Sequence, residues 1–368
     1  MGDMRAAVLE PDGKIAVGSV DIEDPRPGEV LVRVTDCGVC HSDVSYIDGS
    51  FPGARPVVLG HEAAGVVEAV GPGVTRLHPG DKAVLSPLPS CGRCYFCTRG
   101  NPTLCAEYAS ALFTSTRPDG TSPLSRGGET VFRGLGMGGW AELVVLPEEG
   151  VIKVDDDTDL AEACVIGCAV QTGVGAVLET ARVEEGATVL VLGAGGIGVA
   201  VTQGARLAGA SVIVVVDPVA ERRDAALRFG ATHVVDPAHT DVTAFCMDLT
   251  GVGMDYCFEA AGQAALIEQG IATSRPGGTT VGVGAPPIDQ GISIPMVAAF
   301  TATEKRFIGC LLGSVNAHRD IPRLLAMAKA GRLDLAGMIT DRYALDDVTD
   351  AVENLQQRRG IRTSLRIS

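Results

Sequence analysis

The sequence predicts an α/β protein, a doubly wound parallel sheet joined to a second, irregular β-rich domain. Three observations predict it. At 368 residues the chain is long for one hydrophobic core. Its first part is rich in Val, Gly and Pro with short alternating runs, and from Gln171 onward strand-like runs alternate with Ala-rich helical ones.

In the first part, Val30 to Val34, Ala64 to Val70 and Leu143 to Val145 read as short strands between turns. Pro118 to Gly128 is polar and turn-forming, so a surface excursion is expected there. The alternating part gives a strand at Thr188 to Leu192, a helix at Ile197 to Leu207, a strand at Ser211 to Val216 and a helix at Val219 to Phe229. This pattern persists to about Val283, and a link through Ala285, Pro286 and Pro287 follows. Helices are expected at Ile321 to Ala330 and Leu345 to Gln357, then a closing strand at Thr363 to Ile367 returning to the first domain.

Composition excludes several classes. Apolar residues make up 46% and charged residues 20%, ordinary values for a globular chain. No run approaches the roughly 20 apolar residues of a membrane helix. A net charge of −15, with no basic cluster to offset it, argues against nucleic acid and anionic membrane as partners. Met1 to Glu10 has no apolar core of a signal peptide, so a cytoplasmic location is expected.

Eleven cysteines in such a chain call for metal or reactive-thiol explanations before disulfides. Cys91, Cys94, Cys97 and Cys105, in CGRCYFCTRGNPTLC, can all be aimed at one point by a single folded-back loop, which suits a closed tetrahedral zinc site. Four thiolates around a dication need nearby donors, for which Arg93, Arg99 and the loop amides are candidates. Cys37, Cys164, Cys246, Cys257 and Cys310 are expected to be small buried apolar residues.

Gly193, Gly195, Gly196, Ile197 and Gly198 belong to a G-x-G-x-x-G turn between a strand and a helix, and Asp217 stands at the end of the next strand. Glycines allow close approach of a pyrophosphate, the helix N-terminus offers amide donors, and the carboxylate can hold both ribose hydroxyls. This is a Rossmann-type dinucleotide site. A carboxylate at Asp217 repels a 2′-phosphate and favours NAD over NADP, although Arg222 and Arg223 stand close enough in sequence to contact the ribose or a phosphate.

Cys40 in CGVCHSD, His61 in GHEAAG and Cys168 in IGCAVQTG share no local spacing. Together with the four-cysteine loop, the glycine turn and the closing GIRTSLRIS, these motifs resemble the zinc-dependent medium-chain alcohol dehydrogenases, the liver-type branch above all, along essentially the whole chain. The resemblance implies a GroES-like catalytic domain at 1–169, an NAD-binding Rossmann domain at 170–311 and a return to the catalytic domain at 312–368. It implies two zinc ions per chain, the catalytic one held by Cys40, His61 and Cys168 with its fourth position open.

That zinc would act as a Lewis acid, easing loss of the alcohol proton before hydride leaves to the nicotinamide. By the same resemblance Asp43 orients the imidazole of His61, and Glu62 lies behind the metal. Ser42 contacts the alcohol and passes its proton outward. The relay histidine common three residues later is here Ser45. His41 and Arg362 contact the cofactor pyrophosphate, Thr172 lies beside the nicotinamide, and Val283 also belongs to the cofactor site.

Carried inward, the resemblance gives a pocket lined by Phe51, Pro87, Tyr108 or Ala109, Gly134, Trp140, Ala285 and Leu311. Pro87 and Gly134 stand where relatives have aromatic rings, so a widened channel for bulky primary or aryl alcohols is expected. Alternatives are a formaldehyde dehydrogenase acting on a thiol adduct and a non-catalytic NAD(H)-binding protein. A homodimer is expected, with a homotetramer as the other arrangement.

Overall fold

A computed structural model describes residues 2–294 and 296–368. The chain divides into two compact units, residues 1–168 with 315–368, and residues 169–314.

The first unit carries two β systems. A closed barrel joins Gly2–Leu9, Ile15–Ile22, Leu124–Arg126, Glu129–Arg133 and Val57–Val58. The second sheet runs Val151–Lys153, Lys82–Leu85, Glu62–Val70, Glu29–Val39, Arg362–Arg366, Ile339–Ala344, and Leu143–Pro147 pairs with the first half of Glu29–Val39. The closing strand therefore returns to the first domain, antiparallel to Glu29–Val39, with Thr363 opposite Val39. Alternate inward residues such as Val30, Val32 and Val34 fill its core together with Trp140, Leu146 and Leu365.

One expectation is corrected here. The stretch 118–128 is not wholly an excursion, because Leu124–Arg126 is a barrel strand between Ile15–Ile22 and Glu129–Arg133. Its tip is tied down by charge: Arg117, itself buried, donates to Glu29 at 2.7 and 2.9 Å and to Glu23 at 2.8 Å.

The second unit is a six-stranded parallel sheet in the order His233–Val235, Val212–Val216, Thr188–Leu192, Met254–Glu259, Ser274–Gly282, Arg306–Gly309. Val189 and Val191 pack on one face and Leu190 and Leu192 on the other, so the strand is apolar throughout because helices cover both sides. The strand order turns at Thr188–Leu192, which places the crevice of this fold between that strand and Met254–Glu259. The last strand, Arg306–Gly309, extends the sheet beyond the proline link, although the sequence pattern ends near Val283. Among the described residues no single helix is long and apolar enough to cross a membrane.

Candidate active site

Cys40 follows the strand Glu29–Val39 and caps the helix His41–Asp48, which stops at Gly49 in the left-handed region. His61 directly precedes the strand Glu62–Val70, and Cys168 follows the short helix Cys164–Gly167. The fold of the first unit brings the two sulfurs and an imidazole nitrogen within 4.8 Å of one another, all three buried.

Asp43 organises this cluster. Fully buried, it accepts from the amides of Gly60 and Cys40, each at 3.0 Å, and its Oδ1 lies 3.3 Å from His61 Nδ1. A proton held on Nδ1 leaves Nε2 as the free donor atom, the tautomer a metal requires. Without a metal charge, the hydrogen bond with Cys168 holds the Cys40 thiol well below its ordinary range. The same bond, then burial, pushes Cys168 well above it. Burial opposes a charge on His61, but Asp43 and Cys40 outweigh it and raise the imidazole well above its usual value. Two thiolates and one neutral imidazole match Zn²⁺ in charge, and this donor set fits a catalytic zinc that displaces those protons on binding.

Behind the cluster, Glu62 and Arg362 are paired, Nε donating to Oε2 at 2.6 Å and Nη2 also meeting Oε2. Glu62 is reached because Gly38 stands opposite it in the strand register, and a Cβ at Gly38 would overlap the Glu62 carboxylate. Sequence reading passes over Gly38, since its requirement arises only once three distant strands are paired. Ser42 Oγ lies 3.9 Å from Cys40 Sγ. His41 is exposed and Ser45 half-buried.

The four loop cysteines likewise place their sulfurs within 4.8 Å of one another. Of the donors expected, the loop amides serve and the two arginines do not. Cys91 N–H donates toward Cys105 Sγ at 3.4 Å and Cys97 N–H toward Cys94 Sγ at 3.5 Å. Arg93 instead pairs with Glu107 at 2.8 Å, and Arg99 lies over the Tyr95 ring at 3.8 Å. Of the other five cysteines, Cys37, Cys164, Cys246 and Cys257 are buried and Cys310 is half-buried.

In the second unit the glycine turn has the shape its motif demands. Gly193 sits at φ 103°, and a Cβ on Gly198 would overlap the Gly193 carbonyl. A Cβ on Gly195 would meet nothing nearer than Arg222 Nη1 at 3.8 Å, so protein packing does not explain that glycine, whereas approach of a phosphate does. Gly196 and Ile197 open the helix Gly196–Leu207. Asp217 accepts from the amides of Ala194 at 2.8 Å and Val219 at 2.9 Å, which aims its carboxylate beside the turn. Arg223 is committed to the Asp217 carbonyl and to Asp236, and Arg222 is buried. Thr172 and Val283 are also buried. Zinc and NAD are the cofactors that this chain's donor set and glycine turn fit.

The pocket expectations divide. Phe51, Tyr108, Ala109 and Leu311 are half-buried and Ala285 exposed, whereas Pro87 is buried and Trp140 is 1% exposed within the first unit's core. The gap expected at Gly134 is absent, because the place of a Cβ there is taken by Leu59 Cδ2 at 2.6 Å and Val58 O at 3.0 Å. A side chain at 134 would meet the barrel, so its loss opens no channel.

Comparison with known proteins agrees with both halves. A family profile described as an alcohol dehydrogenase GroES-like domain matches residues 26–156, and one described as a zinc-binding dehydrogenase matches residues 196–330. The chain is similar to the S-(hydroxymethyl)glutathione dehydrogenase of Escherichia coli O139:H28, 35% identical over 98% of this chain and 99% of that one. Its fold matches the benzyl alcohol dehydrogenase of Acinetobacter calcoaceticus with a TM-score of 0.94 at 29% identity, covering 100% of each chain. It also matches an alcohol dehydrogenase zinc-binding domain protein of Burkholderia ambifaria with a TM-score of 0.95 at 32% identity, covering 100% of this chain and 99% of that one.

Proposed function

We propose that this chain, which belongs to the zinc-dependent medium-chain alcohol dehydrogenase family, interconverts a primary alcohol and its aldehyde with NAD and NADH. The observation that carries the reading is the buried trio of Cys40, His61 and Cys168 with Asp43 fixing the imidazole.

When bound, zinc supplies Lewis acidity and NAD a hydride acceptor. Cys40 Sγ, Cys168 Sγ and His61 Nε2 would hold the metal, and Asp43 would keep a proton on His61 Nδ1. Ser42 Oγ takes the alcohol proton and passes it outward. Ser45 cannot titrate near neutrality, so the proton continues through water or a ribose hydroxyl. Asp217 accepts from the ribose hydroxyls, and its charge favours NAD over NADP. His41 is read as a pyrophosphate contact and Thr172 and Val283 as neighbours of the nicotinamide, whereas the guanidinium of Arg362 is buried and committed to Glu62.

For the substrate we favour a bulky or aryl primary alcohol. The half-buried, apolar Phe51 supports it, as does the likeness to a protein named benzyl alcohol dehydrogenase. The likeness to an S-(hydroxymethyl)glutathione dehydrogenase supports a second reading, oxidation of a formaldehyde–thiol adduct. A panel of benzyl, cinnamyl and ethyl alcohols and of formaldehyde with and without glutathione, run with NAD on metal-analysed protein, separates them. Ethanol preferred over the aryl alcohols counts against the first, and formaldehyde oxidation that needs glutathione establishes the second. An enzyme holding two zincs yet oxidising none of these leaves a nucleotide-binding protein.

We further propose a homodimer formed through the edge of the parallel sheet. Support comes from Arg306–Gly309, whose outer side has no strand partner among the described residues, and from exposed Phe307, Ile288 and Val297. Sedimentation of Phe307→Lys against the parent tests it, a monomer being expected. The reading of seven cysteines, Cys40, Cys168 and the four of the loop among them, is corrected to six zinc-binding thiolates, in keeping with a reducing compartment such as the cytoplasm.

A further inference from the structure

Glu259 ends the strand Met254–Glu259, on the side of the glycine turn away from Asp217 in the sheet order. It is fully buried, and no cation pairs with it among the described residues. Its Oε1 accepts from the amides of Ala261 at 2.8 Å and Gln263 at 3.2 Å, while Oε2 is buried with no hydrogen-bond partner. Its own carbonyl accepts from Val283 and Gly284, both at 2.9 Å. One residue thereby binds together the loops that follow two adjacent strands.

The packing around it is tight. A Cβ on Gly284 would lie 2.7 Å from Glu259 Oε2 and would overlap Gly262 N, and one on Gly262 would lie 3.0 Å from Ala285 O. Ala261 in turn touches the glycine turn, since a Cβ on Gly193 would lie 3.0 Å from Ala261 Cβ. Burial pushes the carboxyl of Glu259 up, against the amides of Ala261, Gln263, Gly262 and Gly284, which favour its anion. A carboxylate buried this fully with no cation beside it is costly to maintain, and such a group asks for a reason.

A dinucleotide straddles the point where the strand order reverses, one half on each side. Asp217 marks the adenosine side, so Glu259, with Val283 and Ala285 beside it, stands on the nicotinamide side. We infer that Glu259 is a positioning residue whose buried carboxylate holds the nicotinamide end of the cofactor site and favours the oxidised, cationic ring over the reduced, neutral one. The inference rests on the cofactor reading given above. Its physical content is differential: a negative charge in low dielectric lowers the energy of a nearby cation and leaves a neutral ring nearly unaffected. An amide of the same shape keeps the loop contacts and removes the charge.

The test measures dissociation constants for NAD and for NADH by calorimetry on the full, zinc-loaded protein and on Glu259→Gln, without substrate. The ratio of the NAD constant to the NADH constant should rise on the order of tenfold in Glu259→Gln, as a unit charge acting through a buried environment predicts. A second variant, Glu259→Asp, keeps the charge but shortens the reach to the loops. It should weaken both nucleotides and leave their ratio near the parent value. Equal weakening of both by Glu259→Gln, no change in either, or a ratio shifted by Glu259→Asp as much as by the amide overturns the inference. Should the parent bind neither nucleotide, the cofactor reading falls first, and that outcome is distinct from the others.

Discussion

Glu62 and Arg362 form a fully buried ion pair 300 residues apart in sequence, directly behind the cysteine–histidine cluster. Burial opposes the charge on Arg362, but Glu62 first, then Cys40 and Cys168, hold its guanidinium well above its ordinary range. The pair locks the closing strand to the strand that begins beside His61. It also places a fixed positive charge near the two ligand sulfurs.

Removing one partner strands the other. Glu62→Gln should destabilise the first unit by roughly 3–5 kcal/mol, the usual consequence of breaking a buried pair. The double variant Glu62→Leu with Arg362→Met should lose less than the single one, since no lone charge is left behind. Urea unfolding of the three proteins checks this, and a double variant weaker than Glu62→Gln would refute it.

Asp43→Asn replaces an acceptor that orients His61 with a group that can present N–H instead. Affinity for the catalytic zinc should fall by about 10- to 100-fold, as for other groups that orient a ligand imidazole. Dialysis against a graded chelator, followed by metal analysis, should bring the variant from two zincs per chain to one under conditions that leave the parent loaded.

Asp217→Ser should admit NADP by removing the charge that repels a 2′-phosphate. Because the same carboxylate accepts from the amides of Ala194 and Val219, NAD should also bind more weakly. Unchanged NAD/NADP selectivity in steady-state kinetics would count against the role given to Asp217.

Ser45→His introduces an imidazole on the helix that carries Ser42. The pH profile of kcat/KM should gain or move an ionisation near neutrality. A profile superimposable on the parent's would take position 45 off the proton path.

Stripping zinc from the four-cysteine loop should expose unequal thiols. The amides of Cys97 and Ala106 lower Cys94 to about 6, whereas burial pushes Cys97 up to about 12. At pH 7 iodoacetamide should therefore modify Cys94 before Cys97 in the chelated protein, and neither at speed in the zinc-loaded one. Peptide mapping after brief alkylation reads the order.

The four-cysteine loop and the glycine turn were legible because each closes on itself: its spacing alone confines the atoms to one point or one turn. Thr188 to Leu192 and the helix after it were legible for a similar reason, the apolar pattern being continuous. Leu124–Arg126 and Arg306–Gly309 were not, since short strands with polar residues are defined by the neighbours that pair with them. Gly134 misled because a missing side chain reads as a void, and only packing reveals that Leu59 already fills the place.

By itself the sequence determined the local chemistry, namely which thiols can share an ion and where a phosphate can approach a backbone. Tertiary structure alone decided that Gly38 would face Glu62 on one side and Ser364 on the other, and so where the buried charges stand behind Cys40, His61 and Cys168. The physical reason is register: hydrogen bonding between strands far apart in the chain sets those neighbours, and nothing in the residues' own order encodes the distance between them.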